Sequence, residues 1–253
     1  MEKLKFIGII PARYASTRFP GKPIAMLGGK PVIQRVYEQA RRALDEVVVA
    51  TDDERIAQAV QSFGGSCVMT RNDHKSGTDR CMEALVKHGG GEDVIINIQG
   101  DEPFIQPSQI QAIIACFDDP TTDIATLVKP YDPHGSIEQL LNPNTPKVVV
   151  DKAWNAKYFS RSVIPYLRGV DPSAWPSKHQ YYTHLGMYAY RAQVLREITS
   201  LPQSSLEQAE SLEQLRWIEN GYTIKVGVSQ AETIGIDTPE DLARAESYLA
   251  HHG

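Results

Sequence analysis

Residues 9–22 read IIPARYASTRFPGK, so Arg13, Arg18 and Lys22 bring three cations onto one loop directly behind an apolar run. Pro11 and Pro20 stiffen that loop, while Ala12, Ala15, Ser16 and Gly21 are small enough to let the backbone lie close to a ligand. Several phosphates of one ligand explain the combination; a solvated basic loop is the plainer alternative. The loop is not a P-loop, which would need Gly at position 16 and Ser or Thr at 23, where the chain has Ser16 and Pro23. It also lacks the GxGxxG dinucleotide fingerprint. A second stretch, NIQGDEP (97–103), ends an apolar run in Asp101. A carboxylate there suits Mg²⁺, which takes one or two carboxylates and then substrate phosphates, although Gly-Asp-Glu-Pro also makes a good turn. In GIDTPEDL (235–242), Thr238, Pro239 and Asp241 read as a helix cap. The cap leaves Asp237 unexplained, and it becomes the second candidate ligand. In RNDHKSGTDR (71–80), Ser76, Gly77 and Thr78 open a helix whose N–H groups can meet an anion or a base edge, or simply be capped. Spacing does not choose between these.

The elements that must position these residues alternate regularly. Leu4–Ile10 is a strand-length apolar run, and Val32, Ile33, Val36, Ala40, Ala43 and Leu44 then share one helical face. EVVVATD, SCVMT, VIINIQGD and DIATLV repeat the strand signal, with helical DERIAQAVQSF, TDRCMEALVKH and PSQIQAIIACF between them. Runs apolar on both faces and separated by helices predict a doubly wound, mostly parallel α/β sheet. After about residue 130 the pattern changes: KVVVDKAWNAKYFSR reads as two strands around a turn, DPSAWPSKHQ as a Pro-containing loop and THLGMYAYR as a further strand. Helices return near 207–219 and 239–250, around the strand YTIKVGV. The reading is one domain, 1–253, with a smaller, partly antiparallel lobe inserted at about 133–185.

Composition narrows the function classes. A formal charge of -5 argues against a broad nucleic-acid surface, so any anion site is local. Cys67, Cys81 and Cys116 form no disulfide framework or zinc pattern, and no apolar run has signal-peptide or membrane-span length. A reducing, cytoplasmic setting without a membrane partner is expected.

Taken in order, IIPARYASTRFPGKP, VVVATDD, MTRNDHKSGTDR, INIQGDEP, AKYFSRSVIPY, HLGMYAYR, LEQAESLEQLRWIENGY and GIDTPEDL closely resemble the 3-deoxy-manno-octulosonate cytidylyltransferase (CMP-Kdo synthetase) family, over about residues 5–246. The resemblance implies the Rossmann-like fold of nucleotide-diphospho-sugar transferases, and transfer of the cytidylyl group of CTP to the sugar acid Kdo with release of pyrophosphate. It also implies Mg²⁺ dependence and a homodimer contacted through the lobe. By the same resemblance, Arg13 and Lys22 contact the triphosphate, Ser16 and Arg18 line the loop, and Asp101 and Asp237 hold the metal. Pro11, Ala12, Arg71, Ser76 and Gly77 frame the cytosine. On the sugar side Arg161 offers a fork to the Kdo carboxylate, joined by Arg80, Gln99, His184, Tyr188, Glu210 and Gln214. His184 and Tyr188 share a strand face, and Glu210 and Gln214 are read as one helical turn apart. Read without the resemblance, His184 and Tyr188 are a hydrogen-bonded strand histidine and a half-buried core tyrosine. The alternative acceptor is another sugar acid, of the sialic acid or 8-amino-Kdo type.

Overall fold

Both faces of the first strand are apolar because both are covered. In the computed structural model, which describes residues 3–89, 91–231 and 234–252, β1 (Phe6–Ala12) keeps Ile7, Ile9 and Ile10 entirely from solvent. Each such side chain contributes on the order of 1.5–3 kcal/mol by leaving water. A 3-10 turn at Lys22–Ile24 and a ribbon of β2 (Met26–Leu27) and β3 (Lys30–Pro31) lead into α1 (Val32–Arg41). Helix α1 buries Val32, Ile33, Val36 and Ala40 along one stripe, the predicted face. The alternation continues through β4 (Glu46–Thr51), α2 (Glu54–Ser62), β5 (Cys67–Met69), α3 (Gly77–His88), β6 (Val94–Asn97) and α4 (Pro107–Ala115). Asp53 caps α2 by accepting from Arg55 N at 2.9 Å, and Ser76 with Asp79 forms a reciprocal capping box on α3.

Further along come β7 (Ile124–Pro130), α5 (Ile137–Leu140), β8 (Lys147–Val150), β9 (Ala156–Ser160), α6 (Trp175–Lys178) and β10 (Tyr182–Arg191). They are followed by α7 (Ala192–Ile198), α8 (Ser205–Glu210), α9 (Gln214–Glu219), β11 (Ile224–Val228) and α10 (Pro239–His252). The sequence pattern had no helix at α7. It also read DPSAWPSKHQ as loop, where a 3-10 turn and α6 form because Trp175 is buried with Leu140 and Tyr181 in a small core of its own.

The chain divides into two compact units: Met1–Ile110, Tyr190–Thr199 and Glu232–Gly253 form the first, and Gln111–Ala189 with Ser200–Ala231 the second. In the first unit the strands lie in the order β6, β1, β4, β5, all parallel. Ala12 pairs with Thr51, Thr51 with Met69, and Ile9 with Asn97. The register therefore delivers the loops after β1, β4, β5 and β6 to one edge, beyond the strands' carboxyl ends, where α/β sheets bind ligands. In the second unit β7 and β11 are parallel, while β8 is antiparallel to β9 and to β10. The expected lobe 133–185 falls inside this second unit. The result is an α/β protein with a mostly parallel arrangement and a local antiparallel patch. Among the described residues no helix is long and apolar enough to cross a membrane.

Candidate active site

The loop after β1 folds back on itself. Gly21 takes a left-handed conformation (φ 73°) and donates its N–H to Tyr14 O at 2.9 Å. A side chain there would strike the Tyr14 ring at 3.1 Å, so both the conformation and the close approach require glycine. Ser16 Oγ accepts from Phe19 N at 3.3 Å, and the Arg55 guanidinium stacks 3.2 Å from the centre of the Tyr14 ring. This fixed turn presents Lys22. Its Nζ donates to Asp101 Oδ2 at 2.7 Å and to Asp237 Oδ1 at 3.2 Å, and Arg18 lies 3.2 Å from the same Asp237 oxygen. Arg13 is exposed at the start of the loop.

Two further constraints bring the aspartates together. Gly100 lies so close to β1 that a Cβ would sit 2.8 Å from Pro11 O, which seats the turn bearing Asp101 against the end of β1. Ile236 N donates to Asp101 O at 2.9 Å, tying the two aspartate-bearing segments. Asp241 Oδ2 then accepts from both Asp237 N and Thr238 N at 2.9 Å, while Thr238 Oγ1 accepts from Asp241 N, completing the cap on α10. Asp237 points out of this cap towards Lys22. Burial, with the charge of Asp101 beside it, pushes the Glu102 carboxyl up to about 7. Two hard carboxylates already converging on one cation are a donor set that fits Mg²⁺, whose other positions go to water and phosphate oxygens. No third carboxylate, histidine or cysteine joins them in a metal-binding cluster among the described residues.

Beside this constellation Pro11 and the buried Ala12 end β1, and a Cβ on Gly77 would lie in van der Waals contact with the Pro11 ring at 3.6 Å. The structure thus joins Pro11 and Gly77, residues far apart in sequence. Ser76 Oγ serves as the ordinary cap, accepting from Asp79 N at 3.1 Å. Arg71 is exposed, with its Nε 3.3 Å from Asp73. Gln99 is half-buried just after β6. Arg80 departs from expectation: it has no exposed surface, and its guanidinium is committed to Asp52 Oδ2 at 3.2 Å and to Thr70 Oγ1. It faces the interior of the first unit because the capping register of α3 turns that position towards β4 and β5.

The remaining sugar-side candidates all lie in the second unit. Arg161 borders a cavity of ≈ 380 Å³ with Leu141, Pro143, Ser162, Val163 and Trp175. Its guanidinium donates to the carbonyls of Glu210 (2.6 Å), Pro143 (2.9 Å) and Ser211 (3.2 Å), so three donors hold backbone. Glu210 accepts from Ser160 Oγ at 2.6 Å and Arg161 N at 2.9 Å. The expected helical turn from Glu210 to Gln214 does not form. Ser211 enters the left-handed region (φ 51°), ending α8, and the buried Gln214 opens α9. His184 and Tyr188 do share a face, their ring centres 5.2 Å apart, with Phe159 and Trp217 on either side. His184 Nε2 lies 2.9 Å from Thr126 Oγ1, and burial pushes the imidazole down to about 3, which keeps it neutral.

Sequence reasoning missed Gly100 against Pro11; for Gly21 and Asp241, read as a small loop residue and a helix cap, it missed the partners, Tyr14 and Asp237 N. Adjacency to a charged candidate, Lys22 for Gly21 and Asp101 for Gly100, is the signal that could have drawn attention to the glycines. The three cysteines are free, and burial pushes Cys67 and Cys116 up to about 11, leaving them unreactive.

Comparison with known proteins is consistent over nearly the whole chain. A family model described as Cytidylyltransferase matches residues 7–226. A Phocaeicola vulgatus protein named 3-deoxy-manno-octulosonate cytidylyltransferase is 70% identical over 97% of this chain and 98% of its own. One of the same name from Porphyromonas gingivalis is 59% identical over 98% and 97%. A solved CMP:2-keto-3-deoxy-manno-octonic acid synthetase complexed with CTP superposes with a TM-score of 0.90 at 45% identity, covering 98% of this chain and 100% of that one. A glucose-1-phosphate thymidylyltransferase from Bacillus anthracis, at 18% identity and TM-score 0.64, shares the fold alone.

Proposed function

Since the chain belongs to the family of 3-deoxy-manno-octulosonate cytidylyltransferases, we infer that it transfers the cytidylyl group of CTP to Kdo, giving CMP-Kdo and pyrophosphate for lipopolysaccharide synthesis. The observation that carries the assignment of the site is Lys22 held between Asp101 and Asp237 on the loop that follows β1. The anomeric hydroxyl of Kdo forms the new bond to the α-phosphorus of CTP. The bond to the bridging oxygen breaks, and the hydroxyl proton leaves to solvent. Such a transfer is governed by positioning and charge neutralisation more than by covalent chemistry.

Lys22 can exchange a carboxylate for a phosphate oxygen without leaving its turn. Arg13 and Arg18 add charge towards the outgoing pyrophosphate, and Ser16 closes the loop around it. Asp101 and Asp237 would hold Mg²⁺, which when bound makes the phosphorus more electrophilic and eases ionisation of the attacking hydroxyl. Pro11, Ala12 and Gly77 offer a backbone wall small enough for a pyrimidine, with Ser76 and Arg71 at its margin. In the second unit Arg161, Glu210, His184, Tyr188 and Gln214 recognise the sugar acid. The reading includes a cytoplasmic homodimer, supported by the family resemblance and checked by light scattering.

The test is pyrophosphate release from CTP with a panel of acceptors, with and without Mg²⁺. Release should require both Kdo and Mg²⁺. Release that ignores Kdo and responds to a sialic acid or an 8-amino analogue overturns the acceptor assignment.

A further inference from the structure

The segment between β5 and α3, residues 71–76, has no helix or strand of its own, yet it carries Arg71 and leads into Ser76 and Gly77. What orders it is one carboxylate on α3. Glu83 Oε2 accepts from Arg71 N at 3.0 Å and contacts His74 Nε2. Glu83 Oε1 takes Lys87 Nζ at 2.8 Å, and the same ammonium donates to Met69 O at 2.9 Å, at the end of β5. Glu83 thus gathers the first residue of the segment and its middle, and through Lys87 the end of the strand. Burial would raise the Glu83 carboxyl, but Lys87, the Arg71 N–H and His74 together hold it down to about 2. The carboxylate is therefore charged at any working pH. His74 is 9% exposed although it lies on a loop, so its ring is spent on this anchor. The Arg71 side chain, in contrast, is 67% exposed, its Nε lying 3.3 Å from Asp73 and 3.8 Å from Glu83 Oε2. Its backbone is fixed, while these water-screened ion pairs are weak enough to be exchanged for contacts to a ligand.

We infer that Glu83 is a positioning residue for nucleotide recognition: it fixes segment 71–76 so that Arg71 and the Ser76–Gly77 turn meet the cytosine of CTP. This rests on the nucleotide reading of those residues. Glu83 touches no substrate. Its loss should weaken binding by releasing the segment, while leaving Lys22, Asp101 and Asp237 where they are.

The experiment is calorimetric titration of CTP and UTP, in the presence of Mg²⁺ and without acceptor, into full-length wild-type protein, Glu83→Ala and Glu83→Gln. Glu83→Ala should weaken CTP about tenfold, the worth of a hydrogen bond to a charged group, and narrow the preference for CTP over UTP. Glu83→Gln keeps an acceptor for the Arg71 N–H and should recover part of the loss. In turnover, KM for CTP should rise while kcat at saturating CTP stays near wild type. Unchanged CTP affinity in both variants, or a fall in kcat with KM unmoved, overturns the proposal. Wild-type protein that binds no CTP overturns the nucleotide reading beneath it as well. Wild-type binding with an unaffected Glu83→Ala overturns the proposal alone, and Glu83→Gln decides the matter should Glu83→Ala not fold.

Discussion

Replacing Lys22 with Met separates what the ammonium does for the fold from what it does for the reaction. The ammonium is shared by Asp101 at 2.7 Å and Asp237 at 3.2 Å. Its side chain is 14% exposed, but those of the two carboxylates are 32% and 47% exposed. Water reaches both anions, so each pair is screened and worth about 0.2–1 kcal/mol. Methionine keeps the packing of the aliphatic stem. The net cost to stability should therefore be about 1 kcal/mol, or about 2–4 °C in Tm for a chain of this size. A loss of that size leaves nearly all molecules folded. The transition state is another matter, because charge develops on the departing pyrophosphate within reach of the missing cation. Losing one such preorganised donor typically lowers kcat by about 10²–10³-fold. Thermal unfolding and pyrophosphate release, measured on the same preparations, compare the two effects. Removing the ammonium should also leave Asp101 without its cation and Asp237 with Arg18 alone, so added Mg²⁺ should raise the variant's Tm more than the wild type's. Turnover within a few-fold of wild type would refute the reasoning. So would a Tm loss above about 10 °C, which would make Lys22 a structural residue.

Other outcomes follow from single contacts. Gly100→Ala places a Cβ 2.8 Å from a backbone oxygen that cannot turn aside; unfolding should show a loss of about 1–3 kcal/mol, with activity falling further as Asp101 shifts. His184 has its pKa lowered from 6.5 to about 3, so between those values the unfolded chain binds the extra proton and stability falls as pH falls. Denaturant titrations should lose up to about 2 kcal/mol between pH 7 and pH 5, and His184→Gln should flatten that dependence. Arg161→Ala releases three carbonyls around Glu210, Ser211 and Pro143, so KM for the sugar acid should rise with KM for CTP unmoved, read from separate substrate titrations.

The parallel alternation was legible because the strands of the first unit are apolar on both faces and their helices carry clean one-sided stripes. The cationic loop and the two aspartates were legible because charged residues directly after strands need a reason. What the sequence could not reveal was set by contacts between distant residues. Ser211 breaks the helix between Glu210 and Gln214 by adopting a conformation that no propensity assigns to serine. The family resemblance implied Arg80 on the sugar side, yet Asp52 and Thr70 receive it in the interior, where arginines are seldom enclosed. Gly21 was read as a small residue for close approach to a ligand and Gly100 as part of a turn; only the approach of Tyr14 and Pro11 shows what each glycine makes room for.

The central claim is that Lys22, Asp101 and Asp237 form one cation-bridged site for cytidylyl transfer. It is tested most directly by the rate of pyrophosphate release at saturating CTP and Kdo, across a Mg²⁺ titration, in Asp101→Asn and Asp237→Asn. Each variant should fold as the wild type does, need far more Mg²⁺, and turn over at least about 10²-fold more slowly. Wild-type rates and an unchanged Mg²⁺ requirement in either variant would contradict the account.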